Sequence, residues 1–199
     1  MDTNLKYLLL WLILDLMVMT MAYALNKPNL ILDKKEDGSV SLFFLFINFP
    51  WLLFTWSVFA LQMLISKENR VDTIKGSSIF IASRPSKSFD YTPYDVVVDL
   101  TSEFLKDKII GVHYISYSNL DGMPLSKSYE DVSIFQNKKV LVHCANGHGR
   151  SALFVARVLV DLELVVTFEE GLALIQKSRP LAIPNGGQLK HGRRMHGNA

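Results

Sequence analysis

The sequence contains one cysteine, Cys144, so no disulfide can close within the chain and no cysteine pair is available for a zinc cluster. Charge of one sign is also scarce. Twenty-one Lys and Arg against 19 Asp and Glu leave a net charge of +2, far from the basic excess of a nucleic-acid binder. There is no internal repeat and no low-complexity tract. Two long stretches lack charge almost entirely. From Tyr7 to Leu25 the run YLLLWLILDLMVMTMAYAL carries only Asp15, and from Leu42 to Ile65 the run LFFLFINFPWLLFTWSVFALQMLI carries none. Nearly all the apolar excess lies before residue 66, so composition divides the chain in two.

Each run is long enough to cross a bilayer core of about 30 Å as a helix of about 20 residues. The sequence therefore predicts a membrane hairpin over residues 1–65, with helices at about 7–25 and 42–65 and Pro50 kinking the second. A cleaved signal peptide competes for the first run, because Ala22-Tyr23-Ala24 offers a small-x-small site behind Lys6. Asp2, Asp15 and the length of the run favour a retained helix. Both readings leave residues after 66 in the cytosol, where a functional free thiol stays reduced. The basic residues discriminate poorly between topologies: Lys27, Lys34 and Lys35 lie between the runs, and Lys6, Lys67, Arg70 and Lys75 lie outside them. Asp15 reads either as a polar contact to a neighbouring helix or to a second subunit in a helix-mediated oligomer, or as a tolerated defect.

Residues 66–78, SKENRVDTIKGSS, read as a linker reaching at most about 45 Å, and residues 79–199 as a soluble domain. There SIFIA (78–82), DVVVDL (95–100), IGVHYIS (110–116) and KKVLVH (138–143) have the β-branched character of strands. Helical spacing appears in SKSYEDVSIFQNK, in RSALFVARVLVDLEL and in TFEEGLALIQKSRP, which opens on a threonine cap and stops at Pro180. Strands alternating with helices predict a mainly parallel α/β sheet covered on both faces. After Gln188, HGRRMHGNA offers little for a final helix, which leaves the domain near the minimum for such a fold and dependent on the helices or a partner subunit for stability.

The company of the cysteine carries the chemistry. VLVHCANGHGRSA (140–152) runs from a strand into a helix. The turn between them points unpaired N–H groups at one spot and adds the positive end of the helix dipole, which suits an anion. Gly147 and Gly149 allow positive φ and close approach. Arg150 can fork two hydrogen bonds onto phosphate oxygens. A thiol placed at a helix N-terminus beside cations ionises more readily than a free one and becomes a nucleophile, and Ser151 can donate to the departing sulfur.

His143-Cys144-x5-Arg150-Ser151 resembles the signature loop of the cysteine-dependent protein tyrosine phosphatase superfamily. HCANGHGRSA is most similar to its dual-specificity branch, including membrane-attached bacterial members. The resemblance covers about residues 76–190. Downstream it continues in KSRPLAIPNGGQLK, and upstream in VVVDLTSEF and HYISYSNLDGMP. It implies a phosphoric monoester hydrolase that forms a phosphocysteine on Cys144 and needs no metal or other cofactor. Arg150 and the amides of Ala145, Asn146, Gly147, His148, Gly149 and Arg150 would hold the phosphate. Asp121 would act as general acid and then base. Asp99, its competitor, ends a strand and braces or caps the sheet.

His143 supports the loop rather than acting as a base. His148 either adds positive charge toward a further phosphate or lipid headgroup, or faces solvent. Arg179, Asn185 and Gln188 read as structural. Substrates are phosphorylated lipids or membrane proteins, with Lys177, Arg179, Lys190, Arg193 and Arg194 favouring an anionic surface. The implied setting is the inner or plasma membrane with the catalytic domain facing the cytosol. Two competitors remain: a silent membrane-tethered module that binds phosphate esters, which would lack the nucleophile, arginine or acid, and a rhodanese-type sulfur transferase, whose loop fits this spacing less well.

Overall fold

The computed structural model describes residues 2–195. Its first part is helical, with α1 (Thr3–Ala24), the single turn α2 (Asn29–Leu32), α3 (Leu42–Ile47) and α4 (Phe49–Ile65). Among the described residues, α1 alone is long and apolar enough to cross a membrane by length and composition. The second apolar run is broken, not kinked. Pro50 has no N–H and cannot follow on from the carbonyl of Phe46 within one helix. The chain turns at Asn48, and Pro50 enters the first turn of α4, where a missing N–H costs nothing.

α1 repairs the break. The indole of Trp11 donates to the carbonyls of Phe46 and Ile47, both at 3.1 Å. Asp15 accepts from the Trp51 N–H at 3.0 Å, capping the new helix. The Asn48 amide donates to the carbonyls of Leu30 and Ile31, both at 2.7 Å. Asp15 is thus a polar contact to a neighbouring helix of its own chain.

The second part is a mixed α/β layer. Five strands, β1 (Val71–Thr73), β2 (Ile79–Ala82), β3 (Val96–Thr101), β4 (His113–Asn119) and β5 (Val140–His143), form one sheet in the order β1-β2-β5-β3-β4. All neighbours are parallel except β1 with β2. β3 and β5 are buried along their whole length, which is why they read as unbroken apolar runs. The expected linker contains β1 and is not free: Ser83 N–H donates to Arg70 O at 3.1 Å. Shortness and polar surroundings hid this three-residue strand, which edges the sheet.

α5 (Gly149–Asp161) and α6 (Phe168–Ser178) cover one face of the sheet through Leu153, Phe154, Phe168 and Ile175. The opposite face is packed by loop residues instead, with Phe89, Tyr91 and Tyr94 against Val97 and Leu141. α6 starts on a full capping box between Thr167 and Glu170. SKSYEDVSIFQNK does not form the expected helix; only Val132–Phe135 turns, as a 3₁₀ element. Local side-chain bonds outcompete helix there: Asp131 accepts from Ser133 N–H, and Asn119 accepts from the N–H groups of Ser126 and Lys127. Tyr129 and Phe135 still reach the core against Phe154, so their spacing recorded burial rather than helix. A final helix, α7 (Gly186–Met195), is present against expectation. It packs through a small residue, Gly192, set against the Phe168 ring. Residues 196–199 of the expected soluble domain lie outside the described residues.

The two parts are joined by buried polar contacts. Lys34 donates to Asp99 at 2.6 Å and to the Thr101 carbonyl at 3.2 Å, with 0% and 3% of the two charged side chains exposed. Burial alone would raise the Asp99 pKa, but Lys34, with His143 and Thr101, holds it well below the usual carboxylate range. Asp99 also accepts from the Tyr114 hydroxyl at 2.9 Å. It braces the sheet, as its strand position implied. The Trp56 indole donates to Glu103 O at 2.8 Å, and Phe59 meets Phe104 edge-on at 4.9 Å. α4 therefore lies against the sheet domain, not away from it.

Candidate active site

The loop 144–148 joins the end of β5 to the start of α5, at the carboxyl ends of the parallel strands, where α/β sheets hold ligands. Its carbonyls are pulled outward: Arg84 N–H donates to Ala145 O at 2.7 Å, and Arg179 donates to Asn146 O at 2.9 Å. Gly147 has φ +72°, and a Cβ there would lie 2.6 Å from the Ala82 carbonyl. Only glycine fits this approach to β2. With that turn made, the Gly147 N–H points at Cys144 Sγ, 3.3 Å away, and the first turn of α5 adds further unpaired N–H groups. Cys144 is 3% exposed and lies at the floor of a cavity of about 210 Å³.

Arg150 is fully buried. Both oxygens of Glu103 accept from it, at 2.7 and 2.9 Å, and so does Asn119 O at 2.9 Å. Burial works against its charge, but the Glu103 carboxylate outweighs that and raises its pKa further, so the guanidinium stays cationic. Asp121 stands at the rim, with Oδ1 3.1 Å from Arg150 and its side chain 67% exposed. Two buried donors, Arg150 Nε and Ser151 Oγ, have no partner among the described residues. Both are donors left over in the first turn of α5, beside the loop that carries Cys144.

The structure thus brings Cys144, Arg150, Asp121, Ser151 and Ala145 to Gly149 to one place. His143 is buried at the end of β5, with Nδ1 3.9 Å from Asp99 Oδ1. Burial lowers its pKa against the opposing pull of Asp99. His148 lines the cavity, but its Nε2 bonds Glu68 at 2.8 Å. Its ring is turned to the segment after α4 and not to open solvent. Arg179 is buried, with its fork on Asp72, Asn69 O and Asn146 O, and Arg193 pairs with Glu169. Arg179 is therefore not the surface cation expected, whereas Arg193 stays on the surface, half-exposed in an exposed ion pair.

Three residues matter more than the sequence indicated. Glu103 orients Arg150; a lone acid in TSEF carries no pattern that says so. Asn185 donates to Gly122 O at 2.7 Å, and Gln188 donates to Met123 O at 3.1 Å. Both pin the loop that carries Asp121. The PNGGQ stretch was visible, but its targets, 63 and 65 residues upstream, were not. A larger hollow of about 760 Å³, lined by Ser77, Gln136 and Leu164, lies at the other end of the strands and contains no nucleophile from the signature loop.

No family model matches the chain, and no curated protein matches it. Solved structures do. Human DUSP28 covers 65% of this chain with 94% of its own, at 14% identity and a TM-score of 0.53. Tk-PTP in the active form covers 65% with 98% of its own, at 20% identity and a TM-score of 0.54. PTPMT1 in complex with PI(5)P covers 64% with 95% of its own, at 20% identity and a TM-score of 0.52. At these identities the likeness is one of fold: this chain has the dual-specificity phosphatase fold of the cysteine-dependent protein tyrosine phosphatase superfamily.

Proposed function

We propose that the protein is a membrane-anchored phosphatase that hydrolyses lipid phosphomonoesters through a phosphocysteine. The observation that carries the reading is the juxtaposition of Cys144, a buried Arg150 with a spare Nε, and Asp121 at the rim of one cavity. The Cys144 thiolate attacks phosphorus while the ester P–O bond breaks. Asp121 gives its proton to the departing alkoxide. Water then attacks the phosphocysteine, Asp121 accepts its proton, and the S–P bond breaks to release inorganic phosphate. Arg150 and the loop amides hold the equatorial oxygens, and Ser151 stabilises the leaving thiolate.

Residues 2–65 supply the anchor. α1, with Leu10, Ile13, Leu14 and Leu16 exposed, crosses the bilayer. α3 and α4 are embedded beside it, and their break is tolerable in lipid because Trp11 and Asp15 satisfy the freed backbone groups. The loop 26–41 and the segment 66–72 both contact the sheet domain, so α4 returns to that domain without a second full crossing. A functional free thiol at Cys144 supports a domain facing the reducing cytosol. A lipid substrate is favoured over a phosphoprotein because α4 lies beside the catalytic cavity, with Gln62 accepting from Asn146 of its rim, and the fold is shared with PTPMT1, solved with PI(5)P.

Phosphate release by the detergent-solubilised full-length protein, without added metal, on lipid monoesters and phosphopeptides tests this. Cys144→Ser abolishes turnover, and Asp121→Asn lowers it about 10²–10⁴-fold. No turnover on any substrate, with ester binding equal in wild type and Cys144→Ser, would replace the enzyme with a binding module.

A further inference from the structure

Beside the catalytic cavity lies a second one of about 280 Å³, between α4 and the segment that follows β3. Its apolar walls are Tyr23, Trp51, Phe54, Val58, Phe59 and Phe104. Asp121 and Asn146 line both cavities, so the two adjoin at the general acid and the phosphate loop. The wall is firmly placed. Besides the Trp56 and Phe59 contacts, the Asn146 amide donates to Gln62 Oε1 at 3.3 Å.

We infer that this cleft receives the glycerol backbone and first acyl carbons of a lipid whose phosphate lies over Cys144, an inference that rests on the lipid phosphatase reading. Three features select this occupant. Glu103, the buried charge in the wall, is committed to Arg150, so the cleft is not a second anion site. Phe54 and Val58 line it and are also 67% and 38% exposed, continuous with Leu53, Leu61 and Leu64 on the outer side of α4. The cleft therefore opens onto the surface that meets lipid. Its volume falls just below the roughly 300–1,000 Å³ that encloses drug-sized ligands, enough for a backbone and chain ends nearest it but not for whole acyl chains, which remain in the bilayer.

The test uses the full-length protein in one detergent throughout. Dibutyryl and dihexanoyl forms of phosphatidate, phosphatidylglycerol phosphate and a phosphatidylinositol monophosphate are compared with an aryl phosphate and a phosphopeptide. In wild type, kcat/KM rises about tenfold from the dibutyryl to the dihexanoyl ester, as added methylenes are buried. Val58→Trp, which fills the cleft, reduces that ratio to about twofold, chiefly through KM. Phe54→Ser, at an exposed position that folding tolerates, lowers it in the same direction, while Leu64→Trp, outside the cleft, keeps the wild-type ratio. A ratio unchanged in Val58→Trp and Phe54→Ser overturns the cleft while leaving the lipid phosphatase standing. So does equal loss on the aryl phosphate and the lipids in both variants. Turnover of the aryl phosphate or phosphopeptide but of no lipid overturns the lipid reading itself, and the cleft with it.

Discussion

α1 and α5 are both apolar helices, and they use that character in opposite ways. α1 has 22 residues, of which Asp15, Met19 and Ala22 are buried; its leucines face outward. α5 has 13 residues, nine of them buried, and its leucines and valines pack beneath the sheet. An outward-facing row of leucines around an inward aspartate is the pattern expected where the surroundings are themselves apolar. Apolar content alone cannot tell the two apart. What separates them is which side chains find partners within the fold.

Removing the joint between the two regions has the largest expected effect. Lys34→Met leaves Asp99 buried without its counter-ion and costs roughly 3–5 kcal/mol. This is read as a lower denaturant midpoint, partly restored by adding Asp99→Asn. If the midpoint does not move, the hairpin is only loosely attached. Next, the same deletion in each helix sharpens the contrast directly. Leu153→Ala in the α5 core costs about 2–5 kcal/mol, whereas Leu10→Ala on the outer side of α1 stays within about 0.5 kcal/mol in detergent.

A pH effect confined to the sheet domain follows in size. Because burial holds the folded-state pKa of His143 below that of free imidazole, the unfolded chain takes up the proton first. The stability is therefore present above the unfolded value near 6.5 and is lost as pH falls beneath it, at up to about 1.4 kcal/mol per pH unit. Denaturant midpoints at pH 7.5 and 5.5 reveal the loss, and His143→Asn narrows the gap. An unchanged gap assigns it to other groups, His191 first, whose pKa burial also lowers. The smallest effect is at α6, remote from the hairpin. Thr167→Ala removes half of the capping box and costs about 1 kcal/mol, with turnover per folded molecule unchanged.

Much of the fold was legible because β3, β5 and α5 are buried locally and show it in sequence. The cysteine loop was legible for the same reason: strand, turn glycines, nucleophile and arginine are consecutive. β1 and α7 were not, since one is a short polar edge and the other packs through Gln188 and Gly192 rather than an apolar stripe. Nor was the division of the second apolar run. Pro50 announced a disturbance, but Trp11 and Asp15, which made a clean break affordable, lie more than 30 residues away.

Sequence by itself determined the cysteine loop between β5 and α5, with Cys144 at its start and Arg150 just past its end, because a helix N-terminus and the residues within it are set by neighbours along the chain. Tertiary structure decided the rest of the site. Asp121 reaches Arg150 from a loop that Asn185 and Gln188 hold, and Glu103 meets Arg150 from 47 residues away. Tertiary structure also laid α4 along the cleft that adjoins the cysteine cavity, through contacts of Trp56, Phe59 and Gln62 with the sheet domain. Such pairings depend on distances in space, and local pattern does not record them.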